Sequence, residues 1–104
     1  MAKYLLLYEG GSMPETDEQR AVVMQAWESW FRQLGGAAAD PGNPFTPESN
    51  RLSADGSISA GAGAASGYSI IEADSLEAAT DMAKGCPVLA GGASIGVYET
   101  FEVM

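Results

Sequence analysis

The stretch GYSIIEADSLEAATDMAKGCP, residues 67–87, decides the fold of this chain. Tyr68-Ser69-Ile70-Ile71 is aromatic and β-branched, which suits a pleated and largely buried strand. Asp74 stands three residues before Glu77, the spacing of a capping box, where an N-cap acceptor takes a free helix N–H and the acid reaches back. Leu76, Ala79, Thr80 and Ala83 recur at helical spacing, with Met82 flanking. Their small side chains let a helix lie close on a sheet. Lys84 complements the carbonyl end of the helix dipole, Gly85 suits the left-handed position after a helix, and Pro87 forbids continuation. The stretch reads as strand, capped turn and short helix.

Working back toward the N-terminus, KYLLLYE at 3–9 reads as a strand that is apolar on both faces, with Tyr4, Leu6 and Tyr8 on one side and Leu5 and Leu7 on the other. Such a strand belongs in the middle of a sheet. After a turn at 10–14, Thr16 opens a helix with Gln19 in capping-box position and Asp17 and Glu18 in its first turn. Val23, Trp27, Trp30 (with Phe31) and Leu34 form its core stripe, and Gly35-Gly36 ends it. Residues 37–39 begin a second strand that runs into the turn-rich Asp40-Pro41-Gly42-Asn43-Pro44. Arg51-Leu52-Ser53 and Ser57-Ile58-Ser59 flank Ala54-Asp55-Gly56 as a small hairpin. SAGAGAASG, 59–67, is either a mobile loop that gates a cavity or a segment pressed against another backbone. Beyond the deciding stretch, 88–92 is a turn and 93–103 a long final strand in which Gly96 marks a bulge and Glu99 breaks the apolar side.

The 104 residues make one domain, 1–104, with the hairpin and the Ala/Gly/Ser loop inside 46–66. Fourteen acidic residues against 5 basic ones leave a net charge of −9, which disfavours nucleic acid and membrane surfaces as partners. No apolar run approaches the ~20 residues that span a bilayer, and residues 1–8 do not resemble a signal peptide. A lone cysteine, Cys86, agrees with a reducing compartment, so a cytoplasmic location is expected. Cys86 reads as a small, partly buried residue at a helix end. No histidine exists to activate it.

The element order predicts an α+β fold of the ferredoxin-like βαββαβ kind: an antiparallel sheet with two helices on one face. The other face would remain open and apolar. A twin related by two-fold symmetry would cover it, giving a homodimeric α/β barrel with a cavity between the two sheets.

Four segments carry a resemblance to a known family: KYLLLYEG, WFRQLGG, GYSIIEADSLEAATDMAKGCP and GGASIGVYE. Together they make the chain similar to the YCII-related (DGPF-domain) proteins of the dimeric α/β-barrel superfamily over nearly its whole length. The Asp-Gly-Pro-Phe motif of that family would fall around residues 59–65, where this chain has Ala, Gly and Ser. Asp40-Pro41-Gly42-Asn43-Pro44-Phe45 has some of its letters but lies too early. The first-helix histidine, proposed in relatives to form a catalytic dyad with an acid, has no counterpart; Trp27 lies near its place. The dyad therefore does not carry over.

Without histidine, acid–base work would fall to carboxylates and tyrosines. Glu9, at the end of the first strand, and Asp40, after the first helix, are the catalytic candidates. Tyr4, Tyr8, Trp27 and Tyr98 are the candidates for lining a ligand cavity, the ligand being a small apolar or aromatic molecule. No metal site is expected, because His/Cys clusters and closely spaced carboxylate sets are missing, and no cofactor is expected. Two readings follow. One is a homodimeric small-molecule binding or interaction module. The other is a cofactor-independent enzyme of isomerase, lyase or oxygenase type, which the superfamily includes and which preorganised dipoles can support.

Overall fold

Strand β1 (Ala2–Glu9) runs through the centre of a four-stranded antiparallel sheet in a computed structural model that describes residues 2–11, 14–61 and 65–103. Around it the chain adds α1 (Asp17–Leu34), β2 (Ala38–Asp40), β3 (Asn50–Leu52), β4 (Ile58–Ala60), β5 (Ala65–Ala73), α2 (Leu76–Ala83) and β6 (Ser94–Glu99). The order across the sheet is β2-β5-β1-β6, and β3-β4 forms a separate two-stranded hairpin. This is an α+β fold with two helices and an antiparallel sheet, compatible with a ferredoxin-like arrangement.

Register decides which side chains meet the helices. Tyr4 lies opposite Ile71 and Glu99, Leu6 opposite Ser69 and Val97, and Tyr8 opposite Gly67 and Ile95. Directly opposed residues share a face, so these side chains form one surface, and Trp30, Ala79, Ala83 and Cys86 pack onto it from the helical side. Leu6 and Ile71 are fully enclosed, and burial on that scale stabilises by about 1.5–3 kcal/mol per side chain. Trp30, 3% exposed, donates its indole N–H to the Met82 carbonyl at 3.0 Å and so ties α1 to α2. Trp27 stacks on Phe31 and meets the Tyr8 ring edge-on at 5.7 Å. The aromatic stripe of α1 is therefore core, although Val23 at its outer margin stays 36% exposed.

Both helix starts differ in detail from expectation. Thr16 caps α1 by accepting from the Gln19 N–H, but Gln19 returns its side-chain oxygen to the Glu15 N–H instead of to the cap residue. For α2 the cap is Ser75, whose hydroxyl accepts from the Ala78 N–H at 3.1 Å. Asp74 lies one residue too early, because β5 runs to Ala73 and the extended turn shifts the helix start. The buried face of α2 is Ala79 and Ala83 with Ala78 and Met82 beside them; Leu76 and Thr80 are exposed. Thr80 returns its hydroxyl to the Leu76 carbonyl within the helix.

The C-terminal strand is shorter than residues 93–103. It ends at Glu99, just past which the Thr100 N–H and hydroxyl both donate to the Lys3 carbonyl of β1, and Phe101 and Val103 are 81% and 75% exposed. Pairing with β1 passes Gly96 without a bulge. Gly96 instead makes room for a ring, since a Cβ there would lie 2.8 Å from Tyr98 Cε2. The hairpin around Asp55-Gly56 forms as expected. Ser53 donates to Ser57 and Gly56 takes φ +91°, a three-residue turn with glycine in the left-handed position. Of the segment 59–67, residues 62–64 lie outside the described residues, so the gating expectation falls there. Its end, Gly67, is pressed against another backbone: a Cβ would sit 3.1 Å from the Asn43 carbonyl oxygen.

Candidate functional site

The two faces of the sheet carry different chemistry. On the helix side, Tyr8 donates its hydroxyl to Ser69 Oγ at 2.6 Å, and Ser69 donates onward to the Pro41 carbonyl at 2.6 Å. Ser69 has no exposed surface and Tyr8 is 5% exposed. The Cys86 thiol lies against the same phenol. Burial holds the Tyr8 hydroxyl well above the usual phenol range, a shift that its bond to Ser69 opposes only in part. Burial likewise pushes the Cys86 thiol up, against the lowering effects of the Val88 N–H and the Tyr8 hydroxyl. All three groups therefore stay protonated at neutral pH. The arrangement is a buried hydrogen-bond chain that fastens the 41–44 turn to the centre of the sheet. Among the described residues it brings no ionised base to these hydroxyls.

Gly42 completes that fastening. Its φ of +75° is left-handed, and a Cβ there would collide with the Tyr68 carbonyl. Asp40 accepts from the Gly42 N–H at 2.8 Å, which commits its carboxylate to shaping this turn. Glu9 is exposed at the far end of β1, opposite Ala65 and Ser94. Asp40 pairs with Ile70 and Glu9 with Ala65, so their partners on β5 are separated by about 16 Å of strand. The fold does not bring the two catalytic candidates together.

The four lining candidates also separate. Tyr4, Tyr8 and Trp27 face the helix–sheet core, with Tyr4 donating to Glu99 Oε1 at 3.1 Å. Burial, then Glu99, raises the Tyr4 hydroxyl above its ordinary value. Tyr98 alone lies on the opposite face, 52% exposed. Register places it beside Leu5, with Leu7, Tyr68 and Ile70 on the same surface. Phe45 stacks on Tyr68 with ring centroids 6.0 Å apart. This outer face is a continuous apolar sheet surface, half-buried by its own neighbours, while both helices pack on the other side. Its residues Tyr68 and Phe45 were absent from the expected set. The signal for Tyr68 was its parity with Ile70 within GYSII; Phe45, outside any strand pattern, had none.

Besides this face, the described residues form at least two open concavities. One, about 360 Å³, lies between α1 and the turn after α2 and is lined by Val22, Val23, Ala26, Trp30 and Pro87 among others. The other, about 750 Å³, lies between the 44–49 loop and the hairpin and includes Phe45 and Leu52. Neither contains Glu9, Asp40 or a tyrosine. Among the described residues no group of three or more His, Cys, Asp or Glu is placed to hold a metal ion, and no helix is long and apolar enough to cross a membrane. No family model matches this chain, and no curated protein matches it.

Proposed function

We propose that this protein is a homodimeric small-molecule binding or interaction module, a YCII-related protein of the dimeric α/β-barrel kind working in the cytoplasm. The observation that carries the reading is the apolar outer face of the sheet. Leu5, Leu7, Tyr68, Ile70 and Tyr98 share it with no helix over them. Two such faces meeting across a two-fold axis enclose an apolar space into which the Tyr68 and Tyr98 hydroxyls bring polar groups, with the opposed Lys3–Glu72 pair at one end of the same face. That chemistry suits a small apolar or aromatic ligand with one or two hydrogen-bonding groups. The separation of Glu9 from Asp40, and the use of Asp40 in a turn, favour binding over catalysis by these carboxylates.

Sedimentation at micromolar concentration tests the dimer, which should have twice the 10.8 kDa chain mass. Leu7→Glu should convert it to monomer, because a carboxylate cannot enter an apolar interface unpaired. Titration with the neutral aromatic dye N-phenyl-1-naphthylamine should saturate with the wild type and fail with that variant. A monomeric wild type would overturn the proposal.

A further inference from the structure

A chain of 10.8 kDa folded as a monomer exposes about 5,500 Å², yet this one exposes 7414 Å². Its radius of gyration is 15.1 Å, against about 13 Å for a compact domain of this length. The excess surface, about 1,900 Å² per chain, falls in the range that an obligate homodimer interface removes. The outer sheet face cannot account for it alone. Its strands, of 8, 3, 9 and 6 residues, present roughly 400 Å² in projection at about 3.3 Å rise and about 4.8 Å spacing. The β3-β4 hairpin contributes to the remainder, since every residue of its two strands is exposed.

That hairpin is out of keeping with a free monomer. It is not hydrogen-bonded into the main sheet, and an isolated two-stranded ribbon is marginal in water. Leu52 lies directly opposite Ile58, so the two side chains form one apolar pair, 69% and 70% exposed. Leu52 also borders the concavity that holds Phe45, the ring stacked on Tyr68 of the outer face. The hairpin's apolar pair thus stands beside the surface already proposed to meet a second copy.

We infer that the β3-β4 hairpin is an arm that packs its Leu52–Ile58 pair against the partner subunit, extending the dimer interface beyond the two sheets. The occupant is a second copy of this chain. Under two-fold symmetry one contact is made twice, which matches an excess surface present on every chain. The inference rests on the homodimer reading, and its test separates the two. Sedimentation equilibrium of wild type and of the double variant Leu52→Glu, Ile58→Glu gives the dimer dissociation constant. Loss of two aliphatic pairs from a symmetric interface should raise it by at least about 100-fold. The variant's far-UV circular dichroism should be unchanged, because both side chains are exposed within one chain. Amide hydrogen exchange on the wild type gives a second reading: residues 51–59 should become slower as protein concentration rises through the dissociation constant. A wild-type dimer whose affinity changes less than threefold in the variant, with no concentration-dependent protection, would overturn the arm while leaving the sheet-to-sheet dimer standing, and would assign the hairpin to a different partner. A monomeric wild type would overturn both.

Discussion

Ser69→Ala should be the most costly removal of a single oxygen atom in this protein. Ser69 sits in the middle of β5 with no exposed surface, accepting from Tyr8 and donating to Pro41, each at 2.6 Å. Truncation strands two groups of unequal vulnerability. The Tyr8 hydroxyl is enclosed, with the weak sulfur acceptor of Cys86 beside it, so it bears most of a desolvation penalty of about 1–3 kcal/mol. Pro41 is exposed as a residue, and its carbonyl can recover water at a cost of about 0.5–1 kcal/mol. The expected loss is about 2–3 kcal/mol. Tyr8→Phe removes a donor but leaves Ser69 bonded to Pro41, so about 0.5–1.5 kcal/mol is expected. The double variant has no phenol left to strand, and it should be less destabilised than Ser69→Ala alone. Urea denaturation at fixed protein concentration measures all three, with unchanged slopes confirming a common mechanism. A Ser69→Ala loss below about 0.5 kcal/mol, or strict additivity in the double variant, would refute the idea that the hydroxyl bridge is a coupled buried unit.

Gly42→Ala should cost well over the roughly 1–2 kcal/mol of a left-handed alanine, because its methyl also meets the Tyr68 carbonyl; Gly56→Ala, equally left-handed but facing open space, should show the conformational cost alone in the same denaturation assay. Ser75→Ala should lose about 1 kcal/mol of stability while Asp74→Ala changes it by less than about 0.5 kcal/mol, since the hydroxyl and not the upstream carboxylate caps α2. Tyr8 and Cys86 both have raised native pKa values, so the folded state holds protons that the unfolded chain releases. Stability should be flat through neutral pH and fall above about pH 8.5 as unfolded Cys86 ionises, then more steeply above about pH 10 as unfolded tyrosine does. Cys86→Ala should move the onset of that fall to about pH 10 in urea midpoints measured against pH. Each chain carries a net charge of −9, so the proposed dimer should tighten as salt is raised from about 50 mM to about 500 mM, which sedimentation can follow.

Much of the architecture is written in local patterns. The alternation in KYLLLYE, the aromatic stripe of α1 and the proline after α2 each specify an element through near neighbours, where covalent geometry and periodicity act directly. Gly85, expected to be left-handed, has no positive φ and instead leaves room for the Trp30 ring, to which a Cβ would come within 3.2 Å. Even the Ala54-Asp55-Gly56 turn is legible, because only glycine takes φ +91° at little cost. The errors lie where one element's end depends on another. The cap of α2 moved to Ser75 because β5 extends to Ala73, and β6 stopped at Glu99, where the Thr100 N–H and hydroxyl both turn to the distant Lys3 carbonyl. Face assignment is of the same kind. Parity within a strand sorts Tyr4 and Tyr8 from Leu5 and Leu7, but it cannot say which set meets the helices. Only the docking of Trp27 and Trp30 onto one surface turned Tyr4 and Tyr8 inward and left Tyr98 outward. Ser69 could be read as a strand residue and nothing more, because its two partners lie 61 and 28 positions away in the chain. The sequence by itself determined which elements form, since propensity and periodicity are local. The tertiary structure alone decided which face is bare, which hydroxyls are buried and which carboxylates stay apart, because those follow from contacts between segments distant along the chain.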